Sequence, residues 1–439
     1  MNKIRFDLQA FAEGTAVHGT EGYVNANDPA NSQPYSASAD GSVSAEMKTF
    51  YDKALIELAT PALVHDQFGQ KRPIPQGSGK TIEFRKFNTL GKALTAIKEG
   101  VTPEGNKLTV VPVTATVDQY GDYIEMTDLF ELTAIDNVIL EATRVLADQA
   151  GRTMDTVVRN VMLGGTNVNY CPIVTEEAET EVTSRSQLSS KALLRVKDVF
   201  KAAAQLRAQN APTFDGSYVA IIHPYVAYDL MQEAGDRFID IAKYANPSAV
   251  LTGEIGTLGG VRFVQTSEAK IYAAPDLTSK NRDFTVQAYT ASENKIAVKE
   301  TVTVSEAEAL AGRYIIVGGQ KVQVDSAKSG NMGSAYVILK SALDTAPEAG
   351  AKVYPGEAGA DGSATFATIF LGRDAYGSTE IEGGGITHIV KQKGFGNDPL
   401  DQRSSVGWKG VKAAVRLAEP YMVRVESGSS FSATISEGN

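Results

Sequence analysis

Residues 77–81, Gly-Ser-Gly-Lys-Thr, are of the types that end a phosphate-binding loop. The full motif also needs a glycine five residues before Gly79, and Ile74 stands there. A helix must come next as well, because its N-terminus and dipole hold the phosphates. The chain instead continues as "TIEFRKF", which has strand-like spacing. The stretch therefore reads as a glycine turn that launches a hairpin, with Lys80 as a solvated or interface charge. Four histidines, His18, His65, His223 and His388, show no metal-ligand spacing. His223 precedes Pro224 at a strand end and reads as a satisfied, partly buried residue. Cys171, the one cysteine, also precedes a proline and reads as a structural thiol. There is no Gly-x-Ser-x-Gly elbow, and "DQYGD" and "ADGSA" lack the other ligands of a calcium loop. The sequence thus gives no catalytic, cofactor-binding or metal residues, and the expectation is a protein without enzymatic activity, cofactor or small-molecule substrate.

Carboxylates are best organised within residues 133–163, where Glu141, Arg144, Asp148, Arg152, Asp155 and Arg159 alternate in sign. Spacings of three and four place them on one helix face as an ion-pair ladder, solvated or at an interface. Ile135, Ile139, Ala142, Leu146, Val157 and Val161 form the apolar stripe of the same helix. At 1.5 Å per residue it would run about 46 Å before Gly164-Gly165 stops it.

The elements around this helix change character along the 439 residues, a length that favours two or three structural units. Residues 14–44 are rich in Gly, Ala, Ser, Asn, Asp and Pro and read as an extended arm. Residues 45–69 have helical periodicity, ended or kinked by Pro61. Residues 80–127 read as a long hairpin with a polar tip, too sparse in apolar residues to fold alone. It must lie against something, and a partner subunit is the obvious candidate. A second helix is expected over 186–210, then the buried strand "SYVAIIHP", a helical stretch around 225–245 and the strand "GVRFVQT". Residues 270–364 hold short strand candidates, including "YIIVGGQKVQV", a hairpin with Gly318-Gly319 as its two-residue turn. They read as a small all-β module inserted in a loop.

The net charge of −10 and the absence of a basic stripe disfavour dedicated nucleic-acid binding. No run of about 18 apolar residues is present to span a membrane, and the opening apolar stretch is too short for a signal peptide. A soluble protein made in a cytoplasm is expected.

Several stretches resemble the major capsid proteins of tailed bacteriophages. They are "MNKIRFDLQAFA", "GDYIEMTDLFELTAIDNVI", "YVAIIHPYVAYDL", "EIGTLGGVRFVQTSEA", "LGRDAYGSTEI" and "DPLDQRSSVGWKGVKAAVRLAEPYMVRVES". The resemblance is to the HK-ninety-seven-type fold, and more closely to the branch typified by the coliphage N-four capsid protein. It covers residues from about 45 to 267 and from about 366 to 427, and the 270–364 region departs from it.

The resemblance implies an α+β major capsid fold with a long spine helix, an extended hairpin loop, an axial α/β domain and an inserted small all-β domain. The divisions it implies are an arm at 1–44, an N-terminal helix and connector at 45–79 and the hairpin at 80–127. A peripheral domain comes next at 128–185, with its spine helix at 133–163. The axial domain begins at 186–267, the inserted domain takes 268–365, and 366–439 closes the chain. The implied function is self-assembly into an icosahedral head shell around double-stranded DNA. The alternative is an encapsulin-like bacterial compartment. The implied partners are copies of itself as hexamers and pentamers, a separate scaffolding protein, a portal, and packaged DNA by weak non-specific contact, with no membrane. The implied location is the virion, after assembly in the host cytoplasm.

Overall fold

A computed structural model describes residues 64–87, 94, 96, 107, 110–133, 138–175, 178–235, 239–240, 253–274, 277, 283–381, 385–391, 393, 400–435 and 438–439. The expected arm at 1–44, most of the expected N-terminal helix and most of the hairpin tip lie outside them. The chain divides into two units: residues 1–67, 71–158 and 377–415 form the first, and 68–70, 159–376 and 416–439 the second.

In the first unit, β1 (Thr81–Phe87) and β2 (Val110–Thr116) pair antiparallel over seven residues. β3 (Asp118–Thr127) does not extend that pair. It joins the strand Arg403–Arg416 in ten antiparallel pairs, from Arg403↔Thr127 to Lys412↔Asp118. The strand Thr387–Lys391 flanks the other edge of Arg403–Arg416. A short helix α1 (Asp128–Thr133) precedes the spine helix α2 (Val138–Leu163), which the division between the units cuts after Val158.

Ala142, Leu146, Ala147, Ala150 and Met154 of α2 are buried with Met126, Val406 and Trp408. The Trp408 indole N–H donates to Gln149 Oε1 at 3.1 Å, and the Gln149 amide donates to Asp122 at 2.7 Å. One half-buried polar chain thus links helix and sheet in register.

The buried stripe continues through Met154, Val158 and Met162, whereas the expected stripe residues Val157 and Val161 are only half-buried. The expected charge ladder is also split. Arg144–Glu141 (3.2 Å) and Arg152–Asp148 (2.9 Å) are surface pairs, but Asp155 and Arg159 are buried. An unbroken 3.6-residue phase carries these last two off the exposed face.

The second unit is built on an eight-stranded mixed sheet. Its strands run in the order Val168–Tyr170, Met422–Ser427, Thr365–Leu371, Tyr218–Ile222, Val261–Gln265, Glu254–Leu258 and Ile239–Asp240, and Ile271–Tyr272 also pairs with Thr365–Leu371. Tyr218–Ile222 and Val261–Gln265 are parallel and buried almost throughout, as the unbroken apolar runs require. Helices Val196–Ala208 and Pro224–Ala234 cover one face, and Phe263 meets Phe370 edge-on at 6.2 Å between ring centres.

The first of these helices starts ten residues later than expected. Leu188, Ala192 and Leu194 are buried in extended chain, where Leu193 bridges Gly428, and the Asp198 carboxylate, accepting from the Arg195 N–H at 3.2 Å, then opens the helix.

Between Ile271–Tyr272 and Thr365–Leu371 the chain makes a closed six-stranded barrel. Its strands are Phe284–Thr290, Lys295–Val298, Tyr314–Val317, Gln320–Lys328, Tyr336–Leu339 and Lys352–Pro355. The two strands that bracket it are hydrogen-bonded neighbours, Ile271↔Phe366 and Tyr272↔Thr365, so the chain leaves and re-enters the sheet at one place. Alternate residues Phe284, Val286, Ile296, Val298, Val322, Val324, Val337 and Leu339 fill the barrel. Gly318 and Gly319, both at positive φ, turn Val317 back onto Gln320.

The barrel is not purely β. Helix Val304–Leu310 adds Ala307 and Leu310 to its core, opened by a Thr303/Glu306 capping box. The four-residue signal, Thr-x-x-Glu ahead of a seven-residue helix, is short enough to be lost among strands.

Candidate assembly surface

The Gly77–Thr81 stretch is a turn, with Gly77 and Gly79 at φ +80° and +91°. The strand β1 begins at Thr81, where a phosphate loop would need a helix N-terminus, so no backbone dipole converges on a phosphate there.

The histidines go to separate places. His65 Nδ1 lies 2.5 Å from Asp155 Oδ2, and its backbone N–H donates to Asp155 Oδ1 at 2.7 Å. His223 precedes helix Pro224–Ala234 and accepts from the Tyr225 N–H through Nδ1 at 3.2 Å. Burial lowers its pKa to about 4, which keeps the ring neutral as that bond requires. His388 Nε2 meets Thr143 Oγ1 at 3.4 Å. His18 is outside the described residues. Cys171 is buried, and burial, with Asp198 adding to it, pushes the thiol well above its ordinary value. Among the described residues no group of three or more His, Cys, Asp or Glu side chains could hold a metal ion.

The base of the β1–β2 hairpin is anchored. The Phe84 ring lies against Gly377, where an added Cβ would stand 2.7 Å from Phe84 Cε1, and the Arg72 guanidinium lies 5.9 Å from the centre of the ring. Beside this anchor sits Asp66, buried, with Lys412 at 2.9 Å, Lys71 at 3.2 Å and the Ser378 hydroxyl donating at 2.6 Å. Burial would raise the Asp66 carboxyl, but the lysines and the hydroxyl outweigh it and hold the pKa below the usual carboxylate value. The sequence did not reveal this cluster, because Ser378 and Lys412 lie more than 300 residues from Asp66.

Beyond the base the hairpin is uncovered. Ile82, Phe84, Val113 and Ala115 form its sheltered face, while Thr81, Glu83, Arg85, Pro112, Thr114 and Thr116 are exposed. Val110 and Val111 are 39% and 41% exposed, and Leu94, further along the loop, is 87% exposed. Two strands with apolar residues in water are marginal alone, so burial against a neighbour would stabilise them.

Residues 110–327 match the model of a family described as phage capsid protein. The match covers 218 of the 439 residues, just under half of the chain, and supports the role of a phage major capsid protein. The same match supports a place in the capsid of the virion, in a head shell assembled from copies of one chain. The fold agrees: the capsid of Ralstonia phage GP4 is similar with a TM-score of 0.53 at 10% identity, over 82% of this chain and 87% of that one. The capsids of cyanophages P-SCSP1u and Pam1 align with TM-scores of 0.45 and 0.44 at 13% and 12% identity. They cover 83% and 81% of this chain, and 87% and 86% of those chains. No curated protein sequence matches the chain.

The second unit of the capsid protein carries its own exposed patch. Tyr225 stacks on Phe431 at 4.6 Å, and Tyr228 meets the same ring edge-on at 5.7 Å. Both tyrosines are exposed, and Asp229 holds the neighbouring Ser429 and Ser430 hydroxyls at 2.7 and 2.6 Å.

Where the barrel leaves the sheet, the fully buried Glu426 accepts from Arg185 Nε and Nη2 at 2.8 and 2.6 Å and pairs with Arg424 at 3.0 Å. The Arg185 guanidinium stacks 3.3 Å over the Tyr272 ring. Two arginines neutralise the carboxylate and tie three segments together there.

Proposed function

We propose that this major capsid protein has the HK-ninety-seven-type fold in the branch typified by coliphage N-four, and that its β1–β2 hairpin lies over a neighbouring subunit in the shell. The observation that carries the second part is the hairpin itself, fixed at its base by Phe84 and exposing Val110, Val111 and Leu94 further along. The sequence resemblances at 121–139 and 398–427 support the first part.

On this reading α2 is the spine of the peripheral domain. Residues 186–267 and 366–427 form the axial domain of hexamers and pentamers, and the arm at 1–44 straps neighbours. The barrel is a surface elaboration that stabilises capsomers or meets the host surface. A separate scaffolding protein and a portal complete assembly in the host cytoplasm. The chain's net charge of −10 suits a wall that holds packaged double-stranded DNA only by weak, salt-sensitive contacts.

A single introduced cysteine tests the hairpin's place. Val111→Cys should react with a maleimide readily in free subunits and at least about tenfold more slowly in assembled particles, because docking would cover it. Buried Cys171 contributes little background. Equal labelling rates in both forms would show the hairpin uncovered in the shell and the proposal wrong.

A further inference from the structure

The two edges of the hairpin are not equivalent. In an antiparallel pair, residues alternate between those that exchange both hydrogen bonds and those whose N–H and C=O groups point away from the partner strand. The Val117 N–H donates to Lys80 O at 2.9 Å, which makes 80 and 117 a bonded pair. The observed register, Thr81↔Thr116 through Phe87↔Val110, then makes Ile82↔Ala115 and Phe84↔Val113 bonded pairs. Thr81↔Thr116, Glu83↔Thr114 and Arg85↔Pro112 are the pairs whose backbone groups face outward. Pro112 fits this phase, because it has no N–H to give the ladder.

The consequence is asymmetric. The outer edge of β2 lacks a donor at Pro112, midway between Val110 and Thr114, so a strand laid along it would lose a bond at its centre. The outer edge of β1 offers the N–H and C=O of Thr81, Glu83 and Arg85 in an unbroken row. Among the described residues β1 pairs with β2 alone, and Thr81, Glu83 and Arg85 are exposed. Such an edge is a template for an added strand.

We infer that the outer edge of β1, and not that of β2, receives an extended segment of a second copy of this chain in the shell. The occupant is a second copy because the shell is built from copies of the chain and the exposed apolar residues sit on the same hairpin. Pro112 then blocks the opposite edge from the same pairing, so each hairpin recruits one strand rather than nucleating an open-ended sheet. This rests on the reading of the hairpin as an intersubunit element.

Proline scanning separates the edges, since a proline at an outward-facing position removes no bond within the hairpin. Glu83→Pro should reduce particle yield in sedimentation at least about tenfold, with Glu83→Ala close to wild type. Thr114→Pro should assemble normally. Circular dichroism and thermal melting establish that each subunit is folded. Should Glu83→Pro prove unfolded, hydrogen exchange of the wild-type protein decides instead: the Glu83 amide becomes protected on assembly and the Thr114 amide does not. Assembly lost in Thr114→Pro but kept in Glu83→Pro, or protection at Thr114 alone, overturns the inference. Unchanged assembly in both prolines, or protection at neither amide, overturns it too. Wild-type particles whose hairpin stays open to maleimide at residue 111 would instead overturn the reading beneath it.

Discussion

Asp66 carries a charge in a site that holds it only because Lys412, Lys71 and Ser378 surround it. Lys412→Met removes the buried partner and leaves a carboxylate out of water, which should cost about 3 kcal/mol in thermal or urea unfolding. The folded pKa of Asp66 lies below its unfolded value, near 3.8. Its contribution is therefore present above that value and is lost as the pH falls through the folded value, so wild type should show acid destabilisation below about pH 4. Lys412→Met should move that loss to higher pH.

His223 has the same sign in a different window. Its pKa falls from 6.5 in the unfolded chain to about 4 in the fold. The neutral ring supports folding above pH 6.5, and this support drains away as the pH drops toward 4, by up to about 3 kcal/mol. His223→Asn, which can still cap the helix, should flatten the pH dependence of stability between 6.5 and 4. An unchanged slope would assign it to other groups.

At this scale the sequence was a poor guide. Asp155 reads as one rung of a solvated ladder because its helix neighbours alternate in sign, yet its partner, His65, lies 90 residues away. Local spacing carries no information about such a partner. By contrast, the stop at Pro224 did mark His223 as a satisfied residue at a strand end, although it is buried rather than partly buried.

Among the elements, the hairpin base and the barrel give the sharpest expectations. A Cβ on Gly377 would sit 2.7 Å from the Phe84 ring. Gly377→Ala should therefore displace the ring and loosen the base, seen as several-fold faster proteolysis within 81–116 with little change elsewhere. Equal cleavage rates would mean the ring yields without moving the strand. The barrel has its own core and brackets itself with paired strands, so a fragment spanning 283–355 should unfold cooperatively by itself, checked by a sigmoidal melt and dispersed amide resonances. A featureless melt would show that it depends on the sheet.

The barrel strands and the 318–319 turn were legible because alternation and paired glycines are local signals. The barrel's helix and the late start of Val196–Ala208 were not. The first is signalled by four residues alone, and the second by leucines that read as helical but are buried as extended chain against the 428 region.

Across the whole molecule, the hairpin strands, the long helix and the strands of the mixed sheet were readable before any geometry. The fold that these elements build is similar to that of the Ralstonia phage GP4 capsid. The opening glycine-lysine stretch changes meaning at this scale, from a nucleotide cradle to the turn from which a hairpin departs. The chain's net charge of −10 suits the proposed container better than a DNA-gripping protein. The measurement that reaches the central claim most directly is electron cryomicroscopy of the purified protein, alone and co-expressed with a scaffolding partner. The account predicts closed icosahedral shells in which this one chain forms every wall. A chain that stays monomeric under both conditions, or forms only open, irregular aggregates, would contradict it.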